Sequence, residues 1–423
     1  MSNYIDLPAS KSIGARFLAA SYFAGTLLQC RQFDDCDDLK VIQKALQDLY
    51  TSCQNVAAEP TILDIHASGT AFRFMAAIAA STPSANVILT GTPRLCSRPM
   101  TPLLDVLRQA GASIEALGEN STGPYKIIGG ELKGGDFEIR GDVSSQFISA
   151  LMLAAPTWEG GMRLRFTTPL VSRPYAEMTA RVIRDFGIDV ELSETGVTVK
   201  EGNYIAPANF RVEADWSAAG FIYEAAAFKL WSVWISDLVS PEVSMQGDAA
   251  TAKIYRRLGV KSEFKEDCAE IQRYYDLPDD LELDLTHNPD LVPALMLSCA
   301  FNTVRFRFTG VRNLRLKESD RLAAMQTELM KFGFPIKVGE DYIEWQGGVW
   351  SHDHDFVIET YDDHRIAMAF AISALRKGTV KIANPDVVDK SFANFWEQLP
   401  KLGLKCKREG NIMIVEREDD WLY

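Results

Sequence analysis

Two apolar patterns recur along the chain. The first is an amphipathic helix that ends in glycine and runs on into alternating apolar residues. It reads Leu107-Arg-Gln-Ala-Gly111-Ala-Ser-Ile, then Ile183-Arg-Asp-Phe-Gly187-Ile-Asp-Val, Tyr255-Arg-Arg-Leu-Gly259-Val, Leu329-Met-Lys-Phe-Gly333-Phe-Pro-Ile and Leu399-Pro-Lys-Leu-Gly403-Leu-Lys-Cys. These glycines lie 76, 72, 74 and 70 residues apart. Glycine fits there as the left-handed residue that closes a helix before a strand. Residues 42–50 read as a degenerate sixth copy.

The second pattern interleaves with the first. A small polar or charged cluster opens an Ala-rich apolar stretch of helical length at Lys11-Ser12, Gly69-Thr70, Ser145-Gln146, Trp216-Ser217, Pro289-Asp290 and His364-Arg365. Stretches such as 147–155 and 366–375 are apolar all round, so the reading predicts buried helices. Short strands are predicted between them, for example over 87–90 and 304–309. Repeat units of roughly seventy residues, six in all, then account for the chain. Its length implies two or three domains at about 100–200 residues each.

A buried helix cannot leave its first N–H groups unpaired. Any one of the six polar openings is explained by an ordinary N-cap. Six together predict N-termini that face a shared wet cavity, where N–H groups and the helix dipole attract anions. The net charge of −13 argues against nucleic acid or an anionic membrane as the main partner, but not against a small anion met by local cations. Seven cysteines without CxxC or zinc spacing suit reduced thiols of a cytoplasmic protein. No run approaches the ~20 apolar residues that span a bilayer.

Candidate chemistry clusters at these openings. Arg16 lies one helical turn after Ser12 and offers a planar fork beside the point charge of Lys11. Arg94 and Arg98 sit in a turn-rich loop, where arginines are usually solvated. Ser144, Ser145 and Gln146, with Ser172 and Tyr175 further on, offer neutral donors to a phosphate. Asn313-Leu-Arg315-Leu-Lys317-Glu318-Ser319-Asp320-Arg321 packs five charges into seven residues, which suits an ion-pair network around a ligand. Asp363-His364-Arg365 and Asp389-Lys390-Ser391 close the series. His364 has no HxH or HExxH partner, and His352 and His354 read as a solvated loop, so no metal site is expected. There is no P-loop, no dinucleotide glycine motif after a strand and no GxSxG.

In order and spacing these motifs resemble the 3-phosphoshikimate 1-carboxyvinyltransferase (EPSP synthase) family of enolpyruvyl transferases. The resemblance rests on Ser10-Lys11-Ser12 with Arg16, Gly69-Thr70-Ala71 with Arg73, Arg98-Pro99, Ser144-Ser145-Gln146 and Ser172 with Pro174-Tyr175. It continues through Asp290, Asn313 with Lys317-Glu318 and Asp320-Arg321, Asp363-His364-Arg365 and Lys390-Ser391-Phe392.

The resemblance implies an α/β (α+β) fold of two globular domains, each built from three βαβαββ-type units around buried parallel helices. The domains would be 10–213, and 1–9 together with 214–423, with the active site in the cleft between them. It implies transfer of the enolpyruvyl group of phosphoenolpyruvate to the 5-hydroxyl of 3-phosphoshikimate, without metal or other cofactor, by a cytoplasmic monomer that binds neither nucleic acid nor membrane. Position by position, it assigns the acceptor's carboxylate to Ser12 and Arg16. The acceptor's phosphate falls to Ser144, Ser145, Ser172 and Lys317, with Asn313 nearby and Tyr175 alongside. Phosphoenolpyruvate falls to Lys11, Gly69, Arg98, Gln146, Arg321, Arg365 and Lys390. Lys11 and Gln146 also border the acceptor. Asp290 would take the hydroxyl proton and Glu318 would exchange the proton at the methylene carbon, with Lys11 as a third catalytic group.

The sequence departs from the family pattern at Ala67, where asparagine is usual, at Phe74, where proline is common, and at Ala9 and Gly14-Ala15. The first two leave phosphoenolpyruvate affinity and glyphosate sensitivity open. Two alternatives carry the same fold: a UDP-N-acetylglucosamine 1-carboxyvinyltransferase and an inactive binding protein. The first would show Lys-Asn at the opening motif and a cysteine five residues before Arg-Pro, whereas here Cys96 is two residues before Arg98.

Overall fold

The structure is a computed structural model that describes residues 4–30, 33, 36–54, 59–229, 232–266, 268–274, 276–351 and 355–418. His352 and His354 lie outside the described residues. The chain divides into two compact units, Lys11–Val212 and Met1–Ser10 with Glu213–Tyr423. The two crossing segments run side by side: Ala9 bridges Ala214, Ser10 N donates to Glu213 O at 2.7 Å, and Asp215 N donates to Pro8 O at 2.9 Å.

Among the described residues five four-stranded sheets form, all with one topology. The first strand pairs parallel to the second, the fourth pairs antiparallel to the second, and the third lies at the edge. In one sheet Asp280–Asp284 runs parallel to Arg305–Thr309, which pairs antiparallel to Tyr342–Trp345, with Lys337–Val338 outermost. The unit Lys11–Val212 holds two such sheets and the other unit three. Among the described residues, the first repeat contributes no sheet of its own, only the α-helices Lys11–Phe23 and Asp37–Gln54 with the short 3-10 turn Leu27–Gln29 between them. Residues 42–50 fall inside the second of these helices.

The five helix-closing glycines share one backbone state. Gly111, Gly187, Gly259, Gly333 and Gly403 have φ between 74° and 104°. That region costs a residue with a Cβ roughly 1–2 kcal/mol, which explains why glycine recurs at that step.

The second pattern marks the buried helices. In Gly69–Ala80 every residue but Thr70 is buried, in Ser145–Ala154 every residue but Gln146, and in Trp216–Phe228 every residue but Ser217. All of His364–Ile372 is buried. Each fully buried Leu, Ile or Phe contributes about 1.5–3 kcal/mol, so this core fixes the helices firmly. The residue left partly open in three of them is a polar one in the first turn. Helices Lys11–Phe23, Gly69–Ala80 and Ser145–Ala154 pack on one another in one unit. Trp216–Phe228, Val292–Phe301 and His364–Ile372 do so in the other. Among the described residues no helix is long and apolar enough to cross a membrane.

Candidate active site

In the unit Lys11–Val212, three helix N-termini bring cations and hydroxyls together. Lys11 opens its helix and pairs with Asp38 at 3.1 Å, both side chains largely buried. Arg16 is 2% exposed. Its guanidinium donates to Thr179 Oγ1 at 2.6 Å, to Ser12 O at 2.7 Å, to Ser149 Oγ at 3.0 Å and to Tyr175 O at 3.1 Å. Its Cζ lies 5.4 Å from the ring centre of Phe74. All four hydrogen-bond partners are neutral, and burial pulls its pKa down to about 10. Arg16 therefore stays charged at neutral pH with no carboxylate among these hydrogen-bond partners.

Gly69 lies between two more cations. A Cβ on it would stand 2.9 Å from Arg98 Nη1 and 3.0 Å from Arg73 Nη1. Arg73 donates to Gly69 O at 2.9 Å, and Gln146 Nε2 donates to Thr70 Oγ1 at 3.1 Å. Ser144 caps the next buried helix by accepting from Gln146 N at 3.3 Å. Ser145 is buried, while Ser172 takes a left-handed conformation (φ 52°) to open the helix that carries Tyr175. The other loop arginine, Arg94, is exposed.

The second unit gathers Asp290, Lys317, Glu318, Arg321, Arg365 and Lys390 into one ion network. Asp290 lies in a short turn, Pro289–Leu291, ahead of a buried helix. Its carboxylate meets Arg321 Nη1 at 3.0 Å, Arg365 Nη2 at 3.0 Å and Lys317 Nζ at 3.5 Å. Burial alone would raise its pKa, but Arg365, Lys317 and Arg321 together hold it well below the usual carboxylate range against the opposing charge of Glu318.

Arg321 is 1% exposed and binds three carboxylates: Asp363 at 2.9 Å, Asp290 at 3.0 Å and Glu318 at 3.2 Å. Burial opposes its charge, and Asp363, Glu318 and Asp290 outweigh burial and push its pKa up. Glu318 also meets Lys390 at 3.5 Å. Asp363 is fully buried and caps the helix His364–Ile372 by accepting from Arg365 N at 3.0 Å. The side-chain oxygen of Asn313 is buried without a hydrogen-bond partner, and so is left with capacity to accept a donor.

Four residues that hold this machinery were not legible as site residues. Ser149 and Thr179 orient Arg16, the first from a buried apolar helix and the second from the amphipathic helix that ends before Gly187. Asp38 belongs to an acidic run, yet it lies on the apolar face with Leu39, Ile42, Leu46 and Leu49, so helical periodicity distinguishes it. Asp248 follows Gln246-Gly247 at a helix start. It is buried, accepts from Asn288 Nδ2 at 3.3 Å and from Ser217 Oγ, and has its pKa pushed up to about 6 by burial and by Asp290. Among the described residues no cluster of His, Cys, Asp and Glu is arranged to hold a metal ion.

The model of one family matches residues 1–399: EPSP synthase (3-phosphoshikimate 1-carboxyvinyltransferase). A 3-phosphoshikimate 1-carboxyvinyltransferase of Bacteroides fragilis is 37% identical over 406 residues, covering 95% of this chain and 96% of that protein. One from Yersinia pseudotuberculosis is 35% identical over 416 residues, covering 94% and 95%. In fold, the chain is similar to a solved EPSP synthase from Acinetobacter baumannii, with a TM-score of 0.70 at 23% identity, over 98% of this chain and 97% of that one.

Proposed function

The chain belongs to the EPSP synthase (3-phosphoshikimate 1-carboxyvinyltransferase) family, and on that premise we propose how its two groups of charged side chains share one reaction. It transfers the carboxyvinyl group of phosphoenolpyruvate to the 5-hydroxyl of 3-phosphoshikimate and releases phosphate. The division of labour among its residues is our reading.

Ser12 and Arg16 take the acceptor's carboxylate. Ser144, Ser145, Ser172, Asn313 and Lys317 take its phosphate, and Tyr175 lies along it. Lys11, Arg98, Arg321, Arg365 and Lys390 take phosphoenolpyruvate, with Gly69 leaving room beside Arg98 and with Gln146 donating from its amide. Cations of this number offset the repulsion between two substrates that each carry a phosphate and a carboxylate, and exclusion of water would strengthen each contact.

The carrying observation is the set of cations on Asp290. Lys317, Arg321 and Arg365 hold that carboxylate ionised, and they are the groups assigned to substrate anions. In the free enzyme Asp290 is therefore a weak base. As phosphate and carboxylate groups of the substrates draw on these cations, Asp290 regains basicity and can accept the hydroxyl proton. The hydroxyl oxygen then bonds to the substituted enol carbon while the methylene carbon gains a proton, by way of Glu318. Loss of a proton from the resulting methyl group and cleavage of the carbon–oxygen bond to phosphate restore the double bond. Lys11, held by Asp38, supports charge on the departing phosphate.

This chemistry needs no metal or organic cofactor. The matching setting is a monomer in a reducing cytoplasm, free of nucleic acid and membrane, in keeping with seven unpatterned cysteines and a net charge of −13; sedimentation reads the oligomeric state. The decisive experiment supplies both substrates in metal-free buffer and follows inorganic phosphate. Release is expected; its absence while both substrates bind would sink the reading.

A further inference from the structure

We propose that Asp248 is a positioning residue for Asp290: its buried side chain joins the segments that meet at Asp290, and its negative charge sustains the basicity of that carboxylate. The proposal rests on the assignment of Asp290 as the base.

The geometry is specific. Asp248 is 4% exposed and lies in the turn Gly247–Ala249, at the start of the helix Ala250–Arg257. One carboxylate oxygen accepts from Ser217, the second residue of the buried helix Trp216–Phe228. The other accepts from Asn288 Nδ2 at 3.3 Å, and the same amide donates to Gly247 O at 2.9 Å. Asn288 in turn precedes the turn Pro289–Leu291, and Leu291 N donates to Asn288 O at 3.2 Å. Asp290 lies in that turn, so one buried carboxyl connects a helix start, a second helix start and the turn that carries the base. Movement of Asp248 would be transmitted to Asp290 through two residues of backbone.

Hydrogen bonding alone would not require a carboxyl there. Asparagine could accept from Asn288 and donate to Ser217 without the cost of burying a charge. What only aspartate supplies is the charge. The charged groups acting on Asp248 are Asp290 and Arg365, and burial with Asp290 moves its titration up to about 6. Above that pH two carboxylates share the site. When substrates draw Arg365, Arg321 and Lys317 away, the charge of Asp248 remains and keeps the proton affinity of Asp290 high. Below it, a proton on Asp248 removes that support.

The test is the pH profile of kcat with both substrates saturating. The wild-type protein should show an acid limb above pH 6, because substrates that draw Arg365 away also weaken its lowering effect on Asp248. Asp248→Asn should lose that limb and lower kcat by about tenfold or more, with each KM within about threefold of wild type. Ser217→Ala, which removes a hydrogen bond that favours the ionised form, should move the limb to higher pH. An Asp248→Asn enzyme with kcat within about twofold of wild type and an unmoved limb would overturn the proposal. If that variant does not fold, an unmoved limb in Ser217→Ala overturns it instead. Failure of the base assignment is distinguishable, because Asp290→Asn would then retain turnover in the same assay.

Discussion

Arg16 and Arg321 are both almost wholly buried, and the two units hold them in opposite ways. Arg16 is cradled by neutral oxygens and an aromatic ring, whereas Arg321 is surrounded by three carboxylates. The first arrangement keeps an uncompensated positive charge, at the cost of lowering its pKa. The second is self-compensated, so a substrate anion can engage it only in competition with groups already there. A pure anion receptor suits the first, and a site whose acid–base properties must change on binding suits the second. Self-compensation makes the charge state of Asp290 depend on what else is bound.

The largest effect that would sharpen this contrast is on turnover. Asp290→Asn should lower kcat by about 10²–10⁴-fold, the usual worth of a general base, while calorimetric affinity for 3-phosphoshikimate changes little. Comparable losses in both would argue for a binding role. Next comes stability. Arg321→Met leaves Asp363 and Asp290 buried beside too little positive charge and should cost about 3–5 kcal/mol in urea unfolding. Arg16→Met strands only hydroxyls and carbonyls and should cost about 1–3 kcal/mol. Equal costs would break the comparison.

A third carboxyl tests what the cations do for Asp290. Glu224 is fully buried in the same unit, neither of its oxygens has a hydrogen-bond partner, and burial raises its pKa well above 4.5. Because the folded value exceeds the unfolded one, the stability associated with the protonated group is complete below pH 4.5 and declines as pH rises toward the folded value. The decline should be about 1.4 kcal/mol per pH unit. Glu224→Gln should abolish that slope, so denaturant midpoints of the two proteins should agree near about pH 4.5 and separate as pH rises. Parallel midpoints would mean that Glu224 is ionised in the fold. The smallest effect belongs to Phe74. Phe74→Leu removes an attraction to Arg16 of about 0.5–2 kcal/mol and should raise KM for 3-phosphoshikimate by at most about two- to thirtyfold, leaving KM for phosphoenolpyruvate unchanged. The opposite split would detach Phe74 from the acceptor.

Much of the fold was legible because its signals are local. Five glycines at a fixed step in the repeat mark a left-handed helix end whatever lies around them. An apolar run with one polar first turn marks a buried helix with a wet start, as Thr70, Gln146 and Ser217 show. The charged motif around Lys317–Arg321 stood out by density alone. The first repeat was less readable: it lacks the closing glycine, and its helix Asp37–Gln54 hid Asp38 within an acidic run. Ser149, Thr179 and Asp248 carried no local sign, since a serine or threonine in a helix, or an aspartate before one, usually has an ordinary explanation.

The sequence alone determined the repeat, the helix openings and the set of ionisable groups available to the site, because periodicity and capping act over a few residues. Tertiary structure decided the pairing. Asp290 lies 31 residues from Arg321 and 75 from Arg365, and Asp363 lies 42 from Arg321. Only packing of the buried helices brings these charges within 3 Å or so, where burial raises the energy of each charge and proximity to its partners lowers it. The same packing left Arg16 among neutral oxygens, a difference from Arg321 that nothing in the two local sequences could have revealed.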